Sequence, residues 1–333
     1  MYNELQGNNL TLQNATMGRI WLEQMSEAAA RNSVGIQYCM TFPRMLMTSV
    51  LLDAVSQWRA SDDYGPGQTD GCRFPYCVYY IGTTSLLSWA IGLAPAKDNF
   101  WSTEWQPGSH YSNTTREPYS EMQVAIASYS TGPVTPSDGV GFTNVSLVKM
   151  SCTQNGTLLQ PTRPMSAIDA CYGGDAFGYA DSQPQPAKDH VYPITSSHTA
   201  IPTVDTSLST KWTNVLAVGL ANKYSLSVAD IPLDVDGTAT HLLTWTGYSA
   251  ELHSKNVTVE AVVDIRSTDT ATLLAFTPCN YTDFQLWHAA PVLGNSGTVF
   301  LGEPVRYKIS WKIPQRLTTG PSCFLFFVFS YFF

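Results

Sequence analysis

Asp53-Ala54-Val55-Ser56-Gln57-Trp58 runs into Arg59-Ala60-Ser61-Asp62-Asp63-Tyr64, and the reading of this stretch decides the fold. Residues 53–58 form a short apolar run with the character of a buried strand. Two adjacent carboxylates, Asp62 and Asp63, close it, with Arg59 before them and an aromatic after. At the end of a parallel strand such acids stand on the carboxyl rim, where barrel enzymes keep their reactive groups. Taken alone, an Asp-Asp pair is more often a solvated turn, so the neighbouring stretches carry the decision.

Upstream, residues 15–31 place Ile20, Leu22, Met25 and Ala28-Ala29-Ala30 at helical spacing. Residues 34–40 read as a short buried strand and 43–52 as a brief helix or turn. Downstream, Gly65-Pro66-Gly67 breaks the chain. Residues 76–91 are apolar and carry no charge, which predicts a buried helix too short for a membrane span. A strand-and-loop over 92–101, a helix over 117–127, a strand over 128–134 and a helix over 143–151 follow. Four strands alternating with helices predict a parallel sheet or barrel. Four such units are half of an eight-fold barrel and leave strand edges open, so poor solubility is expected.

After about residue 160 the texture changes to Pro, Ser and strands, at 215–220, 242–245, 257–265, 271–276, 298–301 and 306–311. Val257-Thr258-Val259-Glu260-Ala261-Val262-Val263-Asp264 alternates with period two, as an antiparallel strand buried on one face should. The expected division is an α/β unit over 1–160, a linker over 161–210 (irregular over 173–210), an antiparallel β-sandwich over 211–315 and an apolar tail over 316–333. There is no internal repeat.

The chain has 333 residues, enough for one large domain or two ordinary ones. With 44% hydrophobic and 13% charged residues it is a packed globular chain rather than a disordered one. A net charge of −8 speaks against a nucleic-acid partner. Its 9 Trp and 17 Tyr suit stacking on sugar rings, and equally a large core. Asn9, Asn14, Asn113, Asn144, Asn155, Asn256 and Asn280 each open an Asn-x-Ser/Thr triplet. These are seven of 14 asparagines, where chance gives about two, so the chain reads as a glycoprotein of the secretory pathway, extracellular or lysosomal.

Cysteines stand at 39, 72, 77, 152, 171, 279 and 323 without a Cys-x-x-Cys pair, and no two histidines have metal-ligand spacing. No zinc site is expected. Cys72 with Cys77 and Cys152 with Cys171 are candidate disulfides, with the connectivity left open. Met1-Tyr2-Asn3-Glu4-Leu5 has neither the basic nor the apolar region of a signal peptide, so the leader is expected upstream of this chain. Residues 323–333, nearly all apolar, are too short to cross a bilayer. They read as a truncated membrane segment or, with more weight, as a misread gene end. No other membrane association is expected.

Tyr38-Cys39-Met40, Arg59-Ala60-Ser61-Asp62-Asp63, Ser130-Thr131-Gly132-Pro133-Val134-Thr135-Pro136-Ser137-Asp138, and Asn155-Gly156-Thr157-Leu158-Leu159-Gln160-Pro161-Thr162-Arg163-Pro164 with Asp169 follow one another along the chain. In that order they resemble motifs of the raffinose synthases. These are a Cys-Met strand end, Arg-x-Ser-Asp-Asp, Gly-Gly-x-Pro-x-x-x-Ser-Asp, and Asp-Gly-x-x-Leu followed by Pro-Thr-x-Asp. Residues 215–222 are similar to the first strand of that group's carboxyl-terminal β domain. The chain thus resembles the α-galactosidase and raffinose synthase group, glycoside hydrolase family 36 and its relatives, over about 35–222 and more weakly over 223–312. The resemblance implies a (β/α)8 TIM barrel followed by a β-sandwich, with this chain supplying the carboxyl-terminal half of the barrel, its fifth to eighth strands.

Retaining glycosidases use two carboxylates about 5–5.5 Å apart, one as nucleophile and one as acid/base. By resemblance the acid/base is Asp62, with Asp63 the other candidate, and a neighbouring carboxylate helps the acid keep its proton. Arg59 would orient the acids or bind substrate hydroxyls, or else form a structural ion pair. Cys39 and Met40, Asp98, Asn99 and Trp101, and Asp138 stand at strand ends facing the same rim and are candidate substrate contacts. Asp138 reads equally as a helix N-cap, and Glu121 as a solvated helix position.

The group's nucleophile belongs to the strand before Cys39, yet residues 1–52 hold no aspartate and only Glu4, Glu23 and Glu27 as acids. The expectation is therefore a glycosidase-like chain for α-linked sugars, an oligosaccharide or α-galactoside its substrate, which lacks the nucleophile and is inactive alone. No metal or organic cofactor is implied. The rival expectations are a non-catalytic carbohydrate-binding or interaction protein, and an unrelated secreted β-rich protein.

Overall fold

The computed structural model describes residues 9, 13–14, 16–39, 41–61, 63–66 and 76–168 and, beyond them, eight strand segments between 190 and 330. The first helix, α1 (Met17–Arg31), is amphipathic. Leu22 and Ser26 are buried, while Arg19–Glu23 (2.6 Å) and Glu27–Arg31 (2.5 Å) pair one turn apart on the exposed face. Ser33, at φ 56°, turns the chain out of the helix.

Three strands follow, β1 (Ile36–Tyr38), β2 (Val55–Arg59) and β3 (Ala94–Ala96), and form a parallel sheet in that order. Tyr38 lies opposite Trp58, and Arg59 opposite Ala96, so the carboxyl ends of the three strands share one edge. α2 (Pro43–Thr48), continued by a 3-10 turn at Ser49–Leu51, connects β1 to β2, and α3 (Tyr76–Ala90) connects β2 to β3. Over this region the elements fall close to where apolar spacing places them.

The fourth strand differs. Ser128 and Tyr129 are the last residues of α4 (Ser120–Tyr129), and the strand expected over 128–134 is reduced to a parallel bridge between Phe100 and Pro136. Pro133 and Pro136 have no N–H to give to a ladder. Gly132 passes so close to β3 that a Cβ there would lie 2.0 Å from the Pro95 carbonyl oxygen. The preceding Thr131 stands at φ 66°, where β-branched residues are rare.

Two buried clusters meet at Trp58. One packs Leu22 of α1 and Leu46 of α2 against Tyr38, Leu52, Val55 and Leu93. The other gathers Ala60, Ile81, Phe100, the buried residues of α4 and Met165. Leu216 and Leu286, from strands late in the chain, complete it. Every α4 residue from 122 to 129 is buried, as an all-round apolar helix requires. α5 (Val145–Val148) packs beside α4, its amino end capped by Asn144, whose Oδ1 accepts the Leu147 N–H at 3.1 Å.

The later strands are β4 (His190–Ser197), β5 (Lys211–Val218), β6 (Tyr224–Ser227), β7 (His241–Tyr248), β8 (Thr272–Phe276), β9 (Phe284–Leu293), β10 (Thr298–Val299) and β11 (Phe329–Ser330). β5 pairs antiparallel with β4 and β9, and β9 pairs also with β7 and β10. β6 and β8 form a separate antiparallel pair. Two elements depart from the sequence reading. The stretch read as an irregular linker holds β4, whose Pro193 interrupts the usual strand signature. The apolar tail contributes β11, antiparallel to β10. The strands expected at 257–265 and 306–311 lie outside the described residues. Among the described residues no helix is long and apolar enough to cross a membrane.

Candidate functional site

β2 carries Arg59 to the carboxyl edge of the sheet, where its side chain is only 14% exposed. Its NH2 meets Asp63 Oδ1 at 2.7 Å, and its NH1 lies 3.5 Å from Asp98 Oδ2. One guanidinium thus joins the turn after β2 to the turn after β3. The backbone fixes the same junction. Asp98 Oδ2 accepts the Tyr64 N–H at 2.7 Å, and the Asp98 N–H donates to Ser61 Oγ at 2.8 Å. Asp63 is mostly exposed and Asp98 mostly covered.

Tyr64 connects this rim to the interior. Its hydroxyl donates to Glu117 Oε2 at 2.6 Å and accepts the Trp101 N–H at 3.0 Å, and its carbonyl accepts the Tyr111 hydroxyl at 3.1 Å. Burial, then the adjacent Glu117 charge, push the Tyr64 phenol far above its ordinary range. Glu117 is buried and also accepts the Tyr119 N–H at 2.9 Å. Lys97, the last charge one would place at the end of so apolar a strand, is buried as well. Its ammonium donates to the carbonyls of Asp98 (3.1 Å) and Asn99 (3.3 Å) and lies 5.3 Å from the ring centres of Tyr64 and Phe100. Burial pulls Lys97 down to about 8, against the charges of Glu117 and Asp98.

Asp138 is placed differently. Its Oδ1 accepts the Ser102 N–H at 2.8 Å and Gln106 Nε2 at 2.7 Å, and its Oδ2 accepts the Ser102 hydroxyl at 2.5 Å. Ser102 Oγ in turn accepts the Asn144 N–H at 2.7 Å, and Gln106 Oε1 the Gly139 N–H at 2.8 Å. Asp138 is a splice between loops, and the helix cap nearby is Asn144.

Trp101 is 3% exposed and meets Tyr111 edge-on, with ring centres 5.7 Å apart. Asn99 is exposed, its Oδ1 accepting the Ser137 hydroxyl at 2.9 Å. Glu121 is half-buried in the first turn of α4. Cys39 is an exposed free thiol after β1, and Cys152 is also a free thiol, while Cys171 lies outside the described residues. Asp62 and Met40 also lie outside them, so of the residues expected at this rim the structure brings together Arg59, Asp63 and Asp98, while Trp101, expected as a substrate contact, is buried behind them against Tyr64 and Tyr111.

Sequence reasoning passed over Lys97, Glu117, Tyr64 and Tyr111. The signal available was a lone lysine closing Ile91-Gly92-Leu93-Ala94-Pro95-Ala96, at the strand end where β2 carries Arg59. Among the glycosylation triplets, Asn9, Asn14, Asn113, Asn144 and Asn155 are exposed. Asn14 Oδ1 accepts the N–H and hydroxyl of Thr16, at 2.9 and 2.8 Å, and Asn155 does the same with Thr157, at 3.4 and 3.1 Å. Asn256 and Asn280 lie outside the described residues. Among the described residues no group of three or more His, Cys, Asp or Glu could hold a metal ion. No protein-family model matches the chain, and no curated protein sequence matches it.

Proposed function

We propose that this chain is a glycosidase-like protein of the α-galactosidase and raffinose synthase type, whose strand-end rim binds α-linked sugars. The observation that carries this reading is Arg59, which gathers Asp63 and Asp98 from the ends of two adjacent parallel strands. Carboxylates and a guanidinium held on the carboxyl edge of a parallel sheet, with aromatics beside them, suit a ligand made of hydroxyls and apolar C–H faces. In the retaining chemistry of this type, Asp62 or Asp63 would protonate the leaving oxygen, and a second carboxylate would attack the anomeric carbon. Residues 1–52 supply no aspartate for that second role, which favours binding without turnover by this chain alone. The exposed glycosylation triplets support a secretory-pathway glycoprotein.

The test is a paired assay on the purified chain. Release of nitrophenol from p-nitrophenyl α-galactoside reports cleavage, and calorimetric titration with α-linked oligosaccharides reports binding. Binding lost in Arg59→Ala, without nitrophenol release, is the expected result. A chain that binds no α-linked sugar overturns the reading.

A further inference from the structure

We propose that His110 and Tyr111, on the loop between β3 and α4, form an aromatic wall against which a pyranose ring stacks while its hydroxyls face Asp63, Asp98 and Arg59. This rests on the sugar-binding reading above and deepens it. The residues that the family resemblance marks at this rim do not include these two.

The loop is tied down by the contacts already described and by several more. The Glu117 N–H donates to the Glu104 carbonyl at 2.8 Å and closes its base. Arg116 caps the Trp105 ring at 5.8 Å and donates to the carbonyls of Asn113 (2.9 Å) and Thr115 (3.0 Å). Tyr111 is anchored by its hydroxyl to the Tyr64 carbonyl, immediately after the acid pair, and by its ring edge to buried Trp101. His110 lies on Tyr111 with ring centres 4.0 Å apart and is exposed. Burial first, then the charges of Asp98 and Asp63, raise the Tyr111 phenol, so this ring stands within the field of both carboxylates. Asp63 is 68% exposed, so its carboxylate is open to solvent and to a ligand.

A flat π surface beside carboxylates with spare lone pairs is the complement of a sugar, whose ring face is apolar and whose rim donates hydrogen bonds. Arg59 sets the acids in place, and the loop sets the rings.

The experiment titrates the full chain with methyl α-galactopyranoside by calorimetry, for the wild type and for Tyr111→Phe, Tyr111→Ala, His110→Ala and Asp98→Asn. Tyr111→Ala and His110→Ala are each expected to raise Kd about tenfold, and Tyr111→Phe less than about threefold, because the ring and not the hydroxyl makes the contact. An unchanged Kd in His110→Ala and Tyr111→Ala, with binding lost in Asp98→Asn, overturns the aromatic wall and leaves the sugar-binding reading intact. Equal losses in Tyr111→Phe and Tyr111→Ala also overturn it, since the anchor to Tyr64 then does the work. A wild type that binds no sugar sinks both. If Tyr111→Ala melts early, exposed His110→Ala decides the matter by itself.

Discussion

Asp98 and Asp138 stand on the same edge of the molecule and are used in opposite ways. Asp138 has both oxygens filled by donors from Ser102 and Gln106, which sew one loop to another. Asp98 accepts the Tyr64 N–H on Oδ2 and shares Arg59 with Asp63, and its Oδ1 receives a 3.4 Å contact from Asn99. A carboxylate saturated by its neighbours holds the chain together. One that shares a cation and keeps spare lone pairs is free to meet a ligand. Position on the rim does not separate the two, and neither does the number of donors, which is three for each; the difference is that Asp98 takes one from a guanidinium shared with Asp63 and another only at 3.4 Å.

The largest effect erases the contrast altogether. Gly132 carries the chain from α4 across β3 towards Asp138, and Gly132→Ala drives a Cβ into the Pro95 backbone. A loss of at least about 4 kcal/mol is expected in urea denaturation, from overpacking that no rotamer relieves. Asp138→Ala comes next. It removes the acceptor of the buried Ser102 N–H and hydroxyl and one of the acceptors of Gln106 Nε2, and is expected to cost about 3 kcal/mol in the same assay, with little change in sugar affinity.

Lys97 gives the Asp98 side a pH signature. Its folded value, about 8, lies below the ordinary lysine value, so above pH 8 the unfolded chain binds more protons than the folded one. Stability is therefore expected to rise with pH from about 8 towards 10, by roughly 2 kcal/mol. Tyr38, Tyr64, Tyr111 and Tyr119 are raised by burial, so their contribution is complete below the ordinary phenol value and is lost above it. A stability maximum near pH 10, with its alkaline-going rise flattened in Lys97→Met, is what thermal melts across pH should return. The smallest effect is a control away from both clusters. Glu23→Ala removes an exposed helix pair and should move stability by less than about 0.5 kcal/mol.

Much of the helix and strand order around β2 was legible because period and burial agree there. The spacing of Leu22 and Met25 becomes the buried side of α1, and the uncharged run at 76–91 becomes α3, although it is not buried throughout as expected, since Leu86, Leu87 and Trp89 stand exposed. Where proline interrupts a run, the signal fails: Pro193 hides β4, and Pro133 with Pro136 reduces the fourth strand to a bridge. Arg59, Asp63 and Asp98, which the structure draws together, could be singled out because charge at a strand end is conspicuous in sequence. Tyr64, Lys97 and Glu117 were not, because their meaning lies in contacts made across 53 residues, such as Tyr64 with Glu117. Asp138 looked like Asp98 in sequence because hydrogen-bond saturation is a property of the folded neighbourhood alone.

The most direct measurement is the affinity of the intact chain for methyl α-galactopyranoside, compared between Asp98→Asn and Asp138→Asn. The expected result is a loss of at least about tenfold in Asp98→Asn and less than about threefold in Asp138→Asn, with the larger fall in melting temperature in the latter. Equal affinity losses, or a loss confined to Asp138→Asn, would contradict the assignment of the Arg59, Asp63 and Asp98 rim as the sugar-binding site.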